Sequence, residues 1–212
     1  MEQIGLFPLG IVLFPESAYP LHIFEERYKK LINDCLAEKK IFGINYMSEK
    51  NMREIGCTAE VDDLIKSYED GKMDILVTGI KRYRVINFFQ DKNLYYTADI
   101  EYIEDIHTEV DPFLLDEAVM LFNEIAENIR SIKVDKLEPD MIHTTMPSFY
   151  MAQKAGLTSI QKQLLLEMLS ESERLHYVNE HMKNILPVIK HKDDLGEILR
   201  NDGYYKPNLF KS

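Results

Sequence analysis

Positive charge, cysteine and long apolar runs are all scarce in this chain, and each scarcity removes a class of function. Lysine and arginine number 25 against 36 aspartates and glutamates, a formal net charge of −11. Such an excess repels phosphate backbones over roughly a Debye length of 8–10 Å and argues against general nucleic-acid binding. The densest basic stretch, Lys81-Arg82-Tyr83-Arg84, makes no single patch. Strand alternation sends Lys81 and Tyr83 to one face and Arg82 and Arg84 to the other, so these four are expected as solvated or barrel-rim side chains. Cys35 and Cys57 are the only cysteines, separated by an expected helix and loop. Met1-Glu2-Gln3-Ile4 lacks the basic and apolar regions of a secretory leader, so the chain reads as cytoplasmic and reduced. No apolar run approaches the roughly 18–20 residues that span a bilayer, since Leu164-Leu165-Leu166 is framed by Gln163 and Glu167.

Several catalytic signatures are missing as well. There is no G-x-x-x-x-G-K-[ST] loop to cradle nucleotide phosphates. Ser148 follows Pro147 at a helix start and Ser159 follows Thr158, positions that suit caps better than nucleophiles. Of the six histidines, His176 and His181 are five apart and diverge by about 140° on a helix. His22 reads as a polar edge of the fold, while His107, His143 and His191 stand alone. No metal site and no cofactor are expected. Adjacent carboxylates such as Asp62-Asp63 and Glu25-Glu26 point apart on strand or helix, poor geometry for shared acid-base work.

What the chain does have is pattern. Hydrophobic residues make up 45% and charged residues 29% of 212 positions, enough for a folded chain that buries roughly 70% of its unfolded surface. The opening, Phe7-Pro8-Leu9-Gly10-Ile11-Val12-Leu13-Phe14-Pro15 and then Pro20-Leu21-His22-Ile23-Phe24, punctuates two apolar runs with prolines. It predicts an extended ribbon, a turn, a further extended run and then a helix. That helix covers residues 25–39, with Tyr28, Leu31, Ile32, Cys35 and Leu36 on the buried side. Short β-branched and aromatic runs, Met73 to Thr78 and Arg84 to Phe89, predict a small antiparallel sheet closing on itself, and Asp70-Gly71 predicts a hairpin.

Beyond residue 110 the period becomes helical. Asp111-Pro112 opens a helix carrying Phe113, Leu114, Ala118, Leu121, Phe122, Ile125 and Ile129. Thr158-x-x-Gln161 and Ser170-x-x-Glu173 have capping-box form and each starts a helix, the second reading up to Pro187. Asp193-Asp194 suggests a last short helix before the aromatic tail around Tyr204-Tyr205, laid over the bundle or offered to a partner. The change of period predicts an α+β chain in two parts, a β-rich subdomain over residues 1–108 and a helical one over residues 109–212.

These residues resemble the Lon substrate-binding domain, the N-terminal domain of ATP-dependent Lon proteases. The resemblance rests on Pro8-Leu9, Pro15 and Pro20-Leu21 in the opening, Gly56 in Ile55-Gly56-Cys57-Thr58-Ala59, and Gly79-Ile80-Lys81-Arg82 after the hairpin. In the second half it continues through Pro147-Ser148-Phe149, Leu166-Glu167 and Glu173-Arg174-Leu175, covering roughly residues 4–190. It implies a PUA-like β pseudo-barrel with one packed helix, followed by a C-terminal helical bundle. It also implies a non-catalytic module that binds exposed or unfolded polypeptide, with a protease or ATPase as a further partner. The ATPase and serine-lysine peptidase modules of Lon are not visible in the sequence. The alternative is a PUA-like RNA-associated module. Phe88-Phe89 and Tyr95-Tyr96 flank the Asp91-Lys92-Asn93 turn signal, so one aromatic of each pair must face outward. They form either a docking surface for client segments or a face covered by the helices of the second half.

Overall fold

The computed structural model describes residues 2–49, 51–90, 94–106, 110–128, 136–137 and 146–191. The Asp91-Lys92-Asn93 turn, Ile129, His107, His143 and the tail beyond His191 lie outside them. The chain divides into two compact units, Met1–Glu104 and Asp105–Ser212.

The first unit contains β1 (Glu2–Leu9), β2 (Ala18–Ile23), α1 (Glu26–Glu38), β3 (Phe42–Ser48), β4 (Asn51–Ser67), β5 (Met73–Phe89) and β6 (Thr97–Tyr102). The strand order is β2-β5-β4-β3-β1-β6, and β5 also pairs with β6. The ring β1-β3-β4-β5-β6 therefore closes, with β2 attached outside it. The sheet is mixed rather than antiparallel, because β1 and β3 are parallel. Parallel neighbours need a long crossover, and the segment through β2 and α1 supplies it.

Two long strands replace the pairs of short ones read from the sequence. β5 runs through Gly79 without a break and exchanges partners along its length. Met73 to Thr78 lie between β2 and β4, while Tyr83 to Phe89 pair with β6. The turn between β4 and β5 places Gly71 at φ +77°, the left-handed region that glycine reaches without steric cost. At Gly79 the constraint is space. The Phe14 carbonyl lies where a methyl on Gly79 would stand, the Glu16 amide donates to the Gly79 carbonyl at 2.8 Å, and the Gly79 amide donates to the Ser17 carbonyl at 2.9 Å. Phe14-Pro15-Glu16-Ser17 is the turn so docked, with Glu16 at φ +61° and the Ser17 hydroxyl bonded back to Phe14. The run from Val12 to Phe14 is irregular rather than strand, although Leu13 and Phe14 are buried. Its anchoring is this turn, not a sheet ladder.

Pro8 and Pro20 of the opening sit where a missing N–H costs nothing. The Leu6 amide donates to Tyr96 beside β6, and the Pro8 nitrogen, two residues on, points the same way past the end of the β1–β6 pairing. Pro20 lies in β2, which pairs with β5 alone, an edge position that tolerates proline.

β1 is buried on both faces. Ile4 and Leu6 pack with Tyr83, Ala98 and Ile100, and Phe7 packs with α1 through Tyr28, Leu31 and Ile32. Leu36, expected on that buried side, is 39% exposed, whereas its neighbour Cys35 takes the buried position of the last turn. Arg82 departs further from expectation: it is 3% exposed, not solvated. A bulge between β4 and β5 shifts the alternation there. Thr58 fills the bulge, its hydroxyl accepting from the Lys81 amide and donating to the Lys81 carbonyl, both at 3.1 Å.

The second unit contains α2 (Pro112–Asn128), α3 (Pro147–Ala152), α4 (Ser159–Glu167) and α5 (Glu171–His191). Asp111 caps α2 by accepting from the Phe113 amide at 2.9 Å, and Thr158 and Gln161 form a complete capping box on α4. At α5 only a long contact of 3.5 Å joins the Ser170 hydroxyl to the Glu173 amide. Pro187 does not end α5, which continues to His191. Leu186 and Ile189 are buried on either side of it, and their packing outweighs the lost backbone bond.

The centre of this unit is a charge. Arg174 is fully buried and its fork meets Asp105 through both terminal nitrogens. The same guanidinium donates to Glu171 Oε2 at 2.7 and 3.0 Å, to Ser148 Oγ at 3.1 Å and to the Met168 carbonyl at 3.0 Å. It lies 4.5 Å from the centroid of the Phe149 ring. Ser148, expected as a helix cap, instead donates its amide and hydroxyl to Glu171 at 2.7 and 2.8 Å. Burial opposes the charge on Arg174, but Asp105 and Glu171 hold its pKa above the ordinary value. Burial pushes Glu171 up against the pull of Arg174 and Ser148.

Gly79→Ala should destabilise the first unit by about 2–3 kcal/mol, since the added methyl displaces the Phe14 carbonyl and overpacking has this range. Urea unfolding followed by tyrosine fluorescence checks it, against Gly10→Ala, where a methyl meets open space and the midpoint should hardly move.

Candidate functional site

The aromatics at the end of β5 and before β6 do not act as one group. Phe88 is 46% exposed and its ring lies 4.9 Å from that of Tyr96, tilted by 42°. Ile86 and Leu94 are also exposed, so the β5–β6 end of the barrel presents apolar surface. A bulge at Ile86 shifts the alternation of β5. Phe89 is half-buried and pairs with Thr97.

Tyr95 is drawn away to α1. Its hydroxyl donates to Asp34 Oδ2 at 2.9 Å, Asp34 receives Lys30 at 3.0 Å, and the ring covers Gly5 of β1. Burial opposes ionisation of Asp34, yet hydrogen bonds from Lys30 and Tyr95 hold its pKa below the ordinary value. The Tyr95 phenol is pushed up by burial and by Asp34. Tyr95 is thus a tether between α1 and the barrel.

The family-motif positions lie in the framework. Leu9 and Leu21 are half-buried against the α1-side core, Pro15 shapes the turn on Gly79, and Gly56 sits opposite Asn45 and Tyr83. Tyr83 in turn bonds Asn45 inside the barrel.

Sequence reading missed a second polar cluster. His22, directly opposite Asp74 in the β2–β5 register, bonds it at 2.6 Å, and the Tyr68 hydroxyl donates to the other Asp74 oxygen at 2.6 Å. Partial burial opposes it, but these two partners hold the Asp74 pKa down. The register between β2 and β5 made this pair invisible in one dimension. Among the described residues no group of three histidine, cysteine, aspartate or glutamate side chains could hold a metal ion. Burial pushes the Cys35 thiol up to about 11 and the Cys57 thiol up to about 12, so neither is a ready nucleophile at neutral pH. An open depression of about 260 Å³ lies between the end of α1 and β4, lined by Leu36, Lys39, Ile41 and Val61 among others. Its volume falls below the roughly 300–1,000 Å³ of small-molecule pockets. No helix among the described residues is long and apolar enough to cross a membrane.

Among the described residues, the β5–β6 end of the barrel thus offers an exposed apolar surface, and comparisons with known proteins place the chain in a family. The ATP-dependent protease La (LON) substrate-binding domain model matches residues 3–184. A Lon protease of Halothermothrix orenii is 27% identical over 194 residues, covering 85% of this chain and 24% of that protein. A Lon protease of Escherichia coli K12 is 23% identical over 205 residues, covering 89% and 25% respectively. The chain thus spans about a quarter of the length of these curated relatives. Among solved structures, the N-terminal domain of Mycobacterium avium complex Lon protease superposes with a TM-score of 0.67 at 14% identity, covering 86% of this chain and 99% of that one. A Lon N-terminal domain protein from Xanthomonas campestris gives 0.62 at 21% identity, covering 83% and 96%. Both establish the fold.

Tyr95→Phe should cost about 1 kcal/mol at neutral pH, the lower end for a bond to a charged group because Asp34 is partly solvated. A carboxylate with a depressed folded pKa stabilises above its unfolded pKa, so the difference between the two proteins should shrink as pH falls through the folded value. A phenol with a raised folded pKa stabilises fully below its unfolded value near 10, so the difference should begin to shrink again as pH rises above that value toward the folded one. Denaturation midpoints of both proteins from pH 3 to 11 check this; parallel profiles would contradict it.

Proposed function

The chain belongs to the Lon substrate-binding-domain family, and from that premise we propose that it is a non-catalytic module that recognises exposed or unfolded polypeptide segments. Its closed sheet is read as a PUA-like pseudo-barrel carrying the recognition surface. The observation that carries the reading is Phe88, 46% exposed and tilted against Tyr96, on a chain whose two thiols are buried and whose described residues hold no metal-binding group. Aromatic side chains supply large contact area at low entropic cost, and non-directional burial tolerates varied client sequence. A protease or ATPase that takes over the bound client is the partner this reading requires. The net charge of −11 weighs against the RNA-associated alternative.

Fluorescence anisotropy with a reduced, carboxymethylated and therefore permanently unfolded protein tests the proposal. Micromolar binding is expected, and the double substitution Phe88→Ala with Tyr96→Ala should weaken it about tenfold, roughly 1.4 kcal/mol. Affinity should change little between about 50 and 200 mM salt, the range over which phosphate-driven binding collapses. Unaltered affinity of the double variant removes these two rings from the site, and steep salt dependence with RNA as the better ligand would favour the alternative. Turnover of peptide or ester substrates by the pure chain would end the non-catalytic reading.

A further inference from the structure

The Arg174 hub joins three stretches that are far apart in sequence. Asp105, the first residue of the helical unit, meets both terminal nitrogens of the guanidinium. Ser148, in the first turn of α3, meets its Nε. Met168, at the end of α4, offers its carbonyl to Nη1. Each stretch also has one backbone amide fixed in the same neighbourhood. The Ile106 amide donates to the Leu169 carbonyl at 2.9 Å and the Arg174 amide to the Ser170 carbonyl at 3.1 Å, while the Ser148 amide donates to Glu171 at 2.7 Å.

Both carboxylates around the guanidinium are at most 9% exposed. Removing one partner of such a buried set leaves the others uncompensated, so its bonds form and break together rather than one by one. The consequence reaches the connector. On the barrel side the Ile103 amide donates to the Arg82 carbonyl at 3.0 Å, and Glu104 alone separates Ile103 from Asp105.

We propose that Arg174 is a latch: the lead-in Asp105-Ile106, the start of α3 and the α4–α5 turn open and close as one element, independently of the barrel and of the rest of α4. While the latch is closed the connector is a single residue, and opening it lengthens the connector in one step.

Native-state hydrogen exchange by NMR, at rising urea below the unfolding transition, reads this directly. In the unsubstituted protein the amides of Ile106, Ser148 and Arg174 should share one opening free energy and one urea slope. Lys162, whose amide is held by the Thr158 carbonyl at 2.9 Å, and Gly79 in the barrel should follow a different, more protected curve. Three separate curves for the first three amides would overturn the latch, as would convergence of all five. Asp105→Asn supplies the second arm, because it touches only the lead-in. It should lower protection of all three amides by a common factor of about 10 to 100, the range for a lost bond to a charged partner. A fall confined to Ile106, with Ser148 unchanged, would show that the three stretches open separately and would refute the proposal.

Discussion

The barrel depends on one constraint, the passage of the Phe14 carbonyl across Gly79. β5 serves two parts of the one sheet: its first half lies between β2 and β4, and its second half closes the ring through β6. A strand can change partners in this way only if something satisfies its backbone between them. At Gly79 that is the opening turn, whose Glu16 amide and Ser17 carbonyl take both polar groups of the glycine. Two residues further the Thr58 hydroxyl does the same for Lys81. The ribbon before α1 is thus part of the closure of the barrel, and the prolines that punctuate it hold a path that lets the chain approach so closely.

The helical unit is organised by a different physics. Its helices share apolar contacts, yet the group around which α3 and α5 converge is a desolvated guanidinium with two carboxylates. Apolar packing tolerates small displacements, because dispersion and burial have no direction. A forked donor buried among oxygens does not, since each lost bond leaves a partner without water to replace it. The barrel is fixed by close backbone approach, and the helical unit by a charge that cannot be solvated where it stands.

These differences explain what could be read in one dimension. Elements whose signals are local were legible: the Thr158 capping box, Asp111-Pro112 at the start of α2, the glycine turn after Asp70 and the helical face of Tyr28, Leu31 and Ile32. Features that arise from register or from bulges were not. Alternation placed Arg82 in solvent, but the bulge opposite Thr58 turns it inward. The same rule gave no sign that His22 faces Asp74, or that β1 and β3 run parallel. Pro187 misled because a proline's local cost was set against nothing, whereas Leu186 and Ile189 bury on both sides of it. Arg174 was visible only as part of an acidic-arginine-leucine motif, with no hint that its partners lie 69 residues away at Asp105.

The same reasoning separates the four aromatics first grouped by proximity in sequence. Tyr95 and Tyr96 are neighbours at the bend before β6, and their rings go to different partners. One finds Asp34 and becomes a tether; the other meets Phe88 and leaves an apolar surface exposed. A tether is spent on holding α1 in place, and an exposed ring costs the chain solubility without adding to its own stability. On the reading proposed above, exposed apolar surface at the β5–β6 end of the barrel serves what it can receive from outside and not the fold itself.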